Sequence, residues 1–252
     1  SVRYDIEKMW GAGGNDIYVV DPITGIRKQI ATQVQTGGQL SPDAKYAYYF
    51  DRGNWYAYQL ATNTLLNVTA QVKGVRFGQE TWSTPDEPAA WGVAGWTKGD
   101  KSVLVYDRFD VWELDPTGAK APVMVTDSVG RRERTAFRIV DLNRDREEDR
   151  FIDPSKPLYF RAFSEATKGS GYYRDRLDVK GAPEKIIFGD YAYGAPTKAK
   201  AADVYLMTRG TFVEFPNLWV GPSLTQVTKI TDVNPWQKEY NWGSVELVTW
   251  TS

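Results

Sequence analysis

The chain has 252 residues, a formal net charge of -1, 42% hydrophobic and 14% aromatic residues, and neither Cys nor His. It is long enough to bury a sizeable core, and its balanced charge argues against a nucleic-acid surface, which needs clustered positive charge. Without Cys there is no disulfide or thiolate metal site. Without His there is no Ser-His-Asp triad, His-based zinc site or His general base within these residues. No apolar run approaches the ~20 residues of a membrane helix. The 10 Trp and 15 Tyr favour strands.

In chain order, Gly11-Ala12-Gly13-Gly14 reads as a flexible hairpin tip. A phosphate loop would need a helix after it, and a strand follows. Asp16-Ile17-Tyr18 opens that strand, Asp21-Pro22-Ile23-Thr24-Gly25 turns it, and a return strand closes at Gln29-Ile30-Ala31. The next unit is more complete. A turn over Leu40–Lys45 leads to a strand at Tyr46–Phe50, a hairpin at Asp51-Arg52-Gly53 and a strand at Trp55–Leu60. A turn at Ala61–Thr64 then precedes a last strand that closes at Asn67-Val68-Thr69. This is an antiparallel meander.

An insertion is expected over Gln71–Ala90. The third unit then repeats the second without gaps. Val105–Trp112 aligns with Tyr49–Tyr56 and retains an Asp-Arg turn at Asp107-Arg108. Asp115-Pro116-Thr117-Gly118 turns it, and Met124-Val125-Thr126 closes it. Asp127–Arg134 and Asn143–Ser155 read as further insertions. The charges of Arg131–Arg150 fall all round a helical wheel, so Phe137, Ile139 and Leu142 are assigned to a strand. The fourth unit runs from a strand at Leu158–Phe163 through Gly171-Tyr172-Tyr173 to Lys185-Ile186-Ile187. The fifth runs from Val204–Thr208 through Asn217-Leu218-Trp219 to Lys229-Ile230-Thr231.

Five copies of one pattern therefore recur at about fifty residues each, close to the ~40–50 of a four-stranded propeller blade. In each, Asp, Asn or Gly precedes an aromatic-rich strand, and a shorter strand follows that usually ends in an apolar residue and Thr. The expected fold is all-β, a β-propeller of four-stranded antiparallel blades with about five blades present in an incomplete ring. A β-sandwich is the alternative, but it does not need the same unit in series. Trp55, Trp112 and Trp219, at or next to equivalent strand positions, are expected in the core.

The Ser41-Pro42-Asp43-Ala44-Lys45 turn resembles the Ser-Pro-Asp-Gly-Lys turn of TolB-type propeller repeats, with Ala44 in place of Gly. Three longer stretches carry a more specific resemblance: Ala94–Lys101 leading into Tyr106–Trp112, Thr211–Trp219, and Asp232–Gly243 leading to Val245–Trp250. Together they resemble the propeller of prolyl-oligopeptidase-family (S9-type) serine peptidases of the kind common in Bacteroidetes. The resemblance implies blades over 1–240 and a segment, 241–252, leading into an α/β-hydrolase domain of the same polypeptide. The Gly-x-Ser-x-Gly nucleophile elbow of such a domain does not occur in this sequence, so no catalytic residue is assigned, and no cofactor or metal. The start at Ser1-Val2-Arg3-Tyr4, without Met, points to a fragment or processed form.

By the same resemblance, the expected function is a non-catalytic propeller that caps a peptidase active site and admits small peptides. The expected partners are the hydrolase domain and a peptide substrate, with no nucleic acid and no membrane span, in a periplasmic or secreted location. The competing expectation is a stand-alone TolB-like interaction scaffold. Candidate substrate-binding residues are Asp51, Arg52, Asp107 and Arg108, in equivalent hairpins that blade topology puts on one face. The plainer reading of each pair is an ion pair that orders its own turn. Glu147 and Glu148 form a carboxylate pair that could hold a peptide ammonium, but their loop joins first and second strands and so belongs at the opposite face. A glycosidase-type set of Asp107, Asp110 and Glu113 is outweighed by the turn positions of the two aspartates. Asn67-Val68-Thr69 fits a glycosylation sequon at a strand end.

Overall fold

The structure, a computed structural model, describes Tyr4, Ile6, Met9 and residues 13–84, 87–142 and 151–250. Among these residues the architecture is all-β, built from five antiparallel sheets in series. The first pairs β1 (Asn15–Val20) with β2 (Arg27–Val34). The second is a meander of β3 (Gln39–Leu40), β4 (Tyr46–Asp51), β5 (Asn54–Gln59) and β6 (Thr64–Asn67). The third orders β7 (Val93–Trp96), β8 (Val103–Tyr106), β9 (Val111–Leu114) and β10 (Val123–Met124) the same way. The fourth contains β11 (Thr135–Ile139), β12 (Leu158–Ser164), β13 (Ser170–Asp175) and β14 (Glu184–Gly189). In the fifth, two short strands, β15 (Ala192–Tyr193) and β16 (Thr197–Lys198), share the edge of β17 (Tyr205–Gly210). Next come β18 (Asn217–Ser223) and β19 (Gln226–Lys229). None of these sheets closes on itself.

The recurring sequence pattern has a direct structural cause. In three sheets an Asx residue at or just before the start of the third strand and a Thr just after the last strand form a side-chain clasp. Thr69 Oγ1 donates to Asn54 Oδ1 at 3.1 Å and accepts from the Trp55 N–H at 3.0 Å. Thr126 does the same between Asp110 Oδ1, at 2.7 Å, and the Val111 N–H, at 3.2 Å. Thr231 does so between Asn217 Oδ1, at 3.0 Å, and the Leu218 N–H, at 2.9 Å. The clasp ties the two strand ends where the ladder runs out and gives the backbone N–H after each Asx an acceptor. The sequon triplet belongs to it: Asn67 Oδ1 accepts from the Thr69 N–H, and Thr69 is buried. The fourth sheet solves the same junction differently. A Cβ on Gly171 would lie inside the van der Waals shell of the Ile187 carbonyl, so the two strands approach as only Gly allows.

Successive sheets pack face to face, and one cluster of buried side chains fills each gap. The second and third sheets enclose Tyr46, Phe50, Trp55, Trp96, Val105 and Trp112. The third and fourth enclose Leu104, Val111, Phe137, Phe160 and Tyr173. The fourth and fifth enclose Tyr172, Tyr193, Met207 and Leu224, with Trp219 against them. The Trp positions are thus core positions, and their offset matters. Trp55 stands one residue after its Asx and Trp112 two after, so they point to opposite faces of their own sheets. Being on neighbouring sheets, they meet in one cluster.

Some expectations are corrected. Of the Gly11–Gly14 stretch, Gly11 and Ala12 lie outside the described residues, while Gly13 and Gly14 are buried, with Gln35 Nε2 donating to the Gly13 carbonyl, and are no exposed tip. The Asp127–Arg134 insertion contains a short helix, α1 (Val129–Glu133). The stretch reads as an inserted loop in sequence because the helix is a single turn, capped from outside by Asp110. Leu142 is buried but lies beyond the strand, which ends at Ile139.

Candidate functional site

Strand order places the hairpins between second and third strands, and the connections between sheets, at one end of the array. The backbone bears this out: the Glu165 N–H, in the β12–β13 hairpin, donates to the Arg134 carbonyl in the connection that precedes β11. Asp51-Arg52 and Asp107-Arg108 occupy equivalent hairpins at this end.

The two hairpins are built differently. Arg52 and Gly53 have φ of 45° and 79°, the left-handed pair of a tight two-residue hairpin turn. Arg52 Nε lies 3.8 Å from Asp51 Oδ2, with 73% of the Arg52 side chain exposed. That is an ion pair within its own turn and worth little. Burial raises the Asp51 pKa, against the pull of Arg52. In the third sheet Phe109 replaces Gly, and the Asp107 side chain holds the turn. Asp107 Oδ1 accepts from the N–H groups of Phe109, at 2.7 Å, and Asp110, at 2.8 Å, while Oδ2 accepts from Trp112 Nε1 at 2.9 Å.

That turn frees Arg108 to reach outward, so the pairing within Asp107-Arg108 expected by analogy is replaced by one between sheets. Arg108 donates from Nη2 at 2.6 Å and Nε at 3.1 Å to the two carboxylate oxygens of Glu165, in the β12–β13 hairpin. Its Nη1 lies 3.4 Å from Glu80, in the connection before β7. Arg131 of α1 continues the chain of charges to Glu80 at 3.0 Å and Asp107 at 3.5 Å. Both guanidinium groups lie over the Phe109 ring, at 5.0 and 5.3 Å. The Glu165 hydrogen bond raises the Arg108 pKa.

Behind this network Arg138 donates to the carbonyls of Phe137, Asp107 and Arg108. It sits against the rings of Tyr106, at 4.6 Å, and Trp91, at 5.6 Å, and burial lowers its pKa. Asp110 caps α1: its Oδ1 and Oδ2 each accept, at 2.9 Å, from the N–H groups of Gly130 and Arg131. Burial raises its pKa despite those bonds and the one from Thr126.

This arrangement can hold hairpins in register and present a charged rim. Asp107 and Asp110 are fully buried in turn and cap bonds, and Glu113 accepts from Ser102 at 2.6 Å. They form no paired acid site open to a sugar. Among the described residues no group of three or more His, Cys, Asp or Glu could hold a metal ion, and no helix is long and apolar enough to cross a membrane. Glu147 and Glu148 lie outside the described residues. Sequence reasoning reached Asp107 and Arg108 but missed Glu80, Arg131, Arg138 and Glu165. Glu165 stands 57 positions from Arg108, and no local pattern joins the two.

The opposite end carries a cavity of about 520 Å³ lined by Ile139, Leu142, Tyr159, Tyr205 and lysines. Lys156 pairs with Asp153 at 3.9 Å and Lys198 with Asp203 at 3.0 Å.

At the C-terminus a 3-10 helix, Pro235–Glu239, leads the chain back over the β17–β18 hairpin. Gln237 Nε2 donates to the Val213 carbonyl at 3.1 Å, and Trp242 Nε1 to the Phe212 carbonyl at 2.9 Å. The segment thus lies at the same end as Arg108, with Trp236, Tyr240, Trp242, Leu247, Val248 and Trp250 exposed.

No family model matches the chain, and no curated protein matches it in sequence. Solved structures do match. A putative TolB from Agrobacterium tumefaciens is 14% identical over 85% of this chain and 87% of its own, at a TM-score of 0.30. A periplasmic gluconolactonase, PpgL, from Pseudomonas aeruginosa is 14% identical over 85% of this chain and 62% of its own, at 0.37. A prolyl endopeptidase is 12% identical over 84% of this chain and 45% of its own, at 0.24. These TM-scores are too low to argue from. The class follows instead from sheet order and register: a serial array of antiparallel blades of the propeller type, four-stranded in its middle sheets.

Proposed function

We propose that the chain is the non-catalytic propeller portion of a prolyl-oligopeptidase-family serine peptidase, periplasmic or secreted, with residues 1–240 as blades and 241–252 leading to an α/β-hydrolase domain. The blades cap that domain's active site, and small peptides enter past the hairpin end. The observation that carries this reading is the return of the Pro235–Trp242 segment onto the β17–β18 hairpin. It delivers an exposed apolar stretch to the end where Arg52, Arg108 and Arg131 sit. A domain joined there faces that rim, not the cavity at the far end.

The test is the polypeptide that continues past Ser252. A fluorophosphonate probe labels one serine in it, and the 252-residue chain, purified alone, takes no label and hydrolyses no prolyl peptide. Hydrolysis by the chain alone overturns the reading. A gene that stops at Ser252 favours the interaction scaffold.

A further inference from the structure

Arg209 is the second-last residue of β17. Register pairs it with Tyr193 of β15 and Asn217 of β18, and it shares a strand face with Met207. That face looks into the gap between the fourth and fifth sheets, where Tyr193, Met207 and Trp219 pack. The residue stands at the hairpin end of this gap. Thr211 opens the β17–β18 turn, and Ser170 Oγ, at the start of β13, donates at 2.6 Å to the carbonyl of Tyr191. Both flanking sheets belong to this chain, and the outer faces of its first and fifth sheets take no part.

The Arg209 guanidinium is held against two rings. Its carbon lies 3.6 Å from the centroid of the Trp219 ring and 4.6 Å from that of Tyr191. Such contacts fix the plane of the group and attract its charge. They do not satisfy its N–H donors. Nε is buried without a hydrogen-bond partner, and among the described residues no carboxylate or carbonyl pairs with the group. A partly buried charge left without hydrogen bonds is costly. One gap over, at the same end, the fold meets that cost internally, because Arg108 is bridged to Glu165 of the next hairpin. Arg209 has no such acid.

We propose that Arg209 is a carboxylate-binding site, filled by the free C-terminus of a short peptide. A planar carboxylate matches the two-pronged edge of a guanidinium whose plane is already fixed. One cation balances one negative charge, which suits a carboxylate better than a doubly charged phosphate. Tyr191, 37% exposed, offers ring surface to the side chain next to that carboxylate. The choice of a peptide rests on the peptidase reading; the carboxylate site rests on Arg209 alone.

The probes are acetyl-Ala-Phe with a free C-terminus and the same dipeptide as its C-terminal amide. Each is titrated by calorimetry into the 252-residue chain and into the polypeptide that continues past Ser252. The acid is expected to bind both proteins. The amide, and the acid on Arg209→Met, should each bind more weakly by roughly tenfold or more, the worth of one charge-assisted pair. Met keeps an apolar stem against the two rings, and thermal melts confirm that the variant folds. If it does not, Arg209→Lys, which keeps the charge and loses the fork, is expected to weaken the acid in its place. No binding of the acid, equal binding of acid and amide, or binding that survives the loss of Arg209 overturns the site. Binding to the shorter chain alone overturns the peptide, since an acid of the following domain then fills the site. No arm reads hydrolysis, so the peptidase reading is decided separately by its serine probe.

Discussion

Replacing Thr126 by Val tests whether the clasp, and not simply a strand-end preference, explains the recurring Thr. The two side chains have nearly the same shape, so packing is kept and the hydroxyl alone is lost. Thr126 is fully buried, and its hydroxyl is the acceptor for the Val111 N–H. That donor is stranded, at about 1–3 kcal/mol. The bond to Asp110 is lost as well, about 1.5–3 kcal/mol for a charged partner. It is partly offset because Asp110 keeps the N–H groups of Gly130 and Arg131. The net expectation is a loss of about 2–4 kcal/mol, read as a fall in the urea midpoint. Thr126→Ser keeps the hydroxyl and loses one methyl, about 1 kcal/mol. The series across sheets sharpens the test. Thr69→Val should follow close behind, since Thr69 is 2% exposed. Thr231→Val should cost least, since that clasp is only partly buried. If Ser and Val cost the same at 126, or if Thr231 is the most sensitive of the three, the clasp is refuted as the cause of the repeat.

Three further outcomes follow from particular sites. Ala44 has φ of 52°, a left-handed backbone that costs a residue with a Cβ about 1–2 kcal/mol. Ala44→Gly should therefore stabilise the fold by a net ~0.5–1 kcal/mol once the looser unfolded chain is counted, read as a higher melting temperature; no gain would show the turn to be unstrained. Burial pushes the Asp175 carboxyl up from 3.8 to about 6, and its Oδ2 has no hydrogen-bond partner. A raised acid pKa means the folded state holds the proton more tightly, so this stabilisation is full below about 3.8 and is lost as pH rises through about 6. Asp175→Asn should then stabilise the protein at pH 7 to 8 and change little at pH 4, and a gain independent of pH would contradict this. Arg108→Gln removes the bridge to Glu165 and Glu80, whose side chains are 25% and 19% exposed. The expected loss is about 1–2 kcal/mol at low ionic strength, shrinking in 1 M salt as the Debye length falls to ~3 Å. A loss indifferent to salt would mean that packing on Phe109, and not charge, is what Arg108 supplies.

The sequence determined the serial organisation of this protein because the causes of the repeat are local. The Asx, the aromatic strand and the closing Thr lie within one hairpin unit, some 14 to 16 positions from Asx to Thr. Strand alternation then sets which side chains face the neighbouring sheet. Turn chemistry was legible too: the Asp-Arg hairpins lie where the alignment put them. Sequence could not decide what those hairpins do. One Gly-to-Phe difference, Gly53 against Phe109, turned a self-contained ion pair into a bridge between sheets, because the Asp107 side chain took over the turn and released Arg108. Glu80, Arg131, Arg138 and Glu165 joined that network only once the third and fourth sheets were stacked. Charges so far apart in the chain carry no shared period, and only tertiary packing brings them within bonding distance.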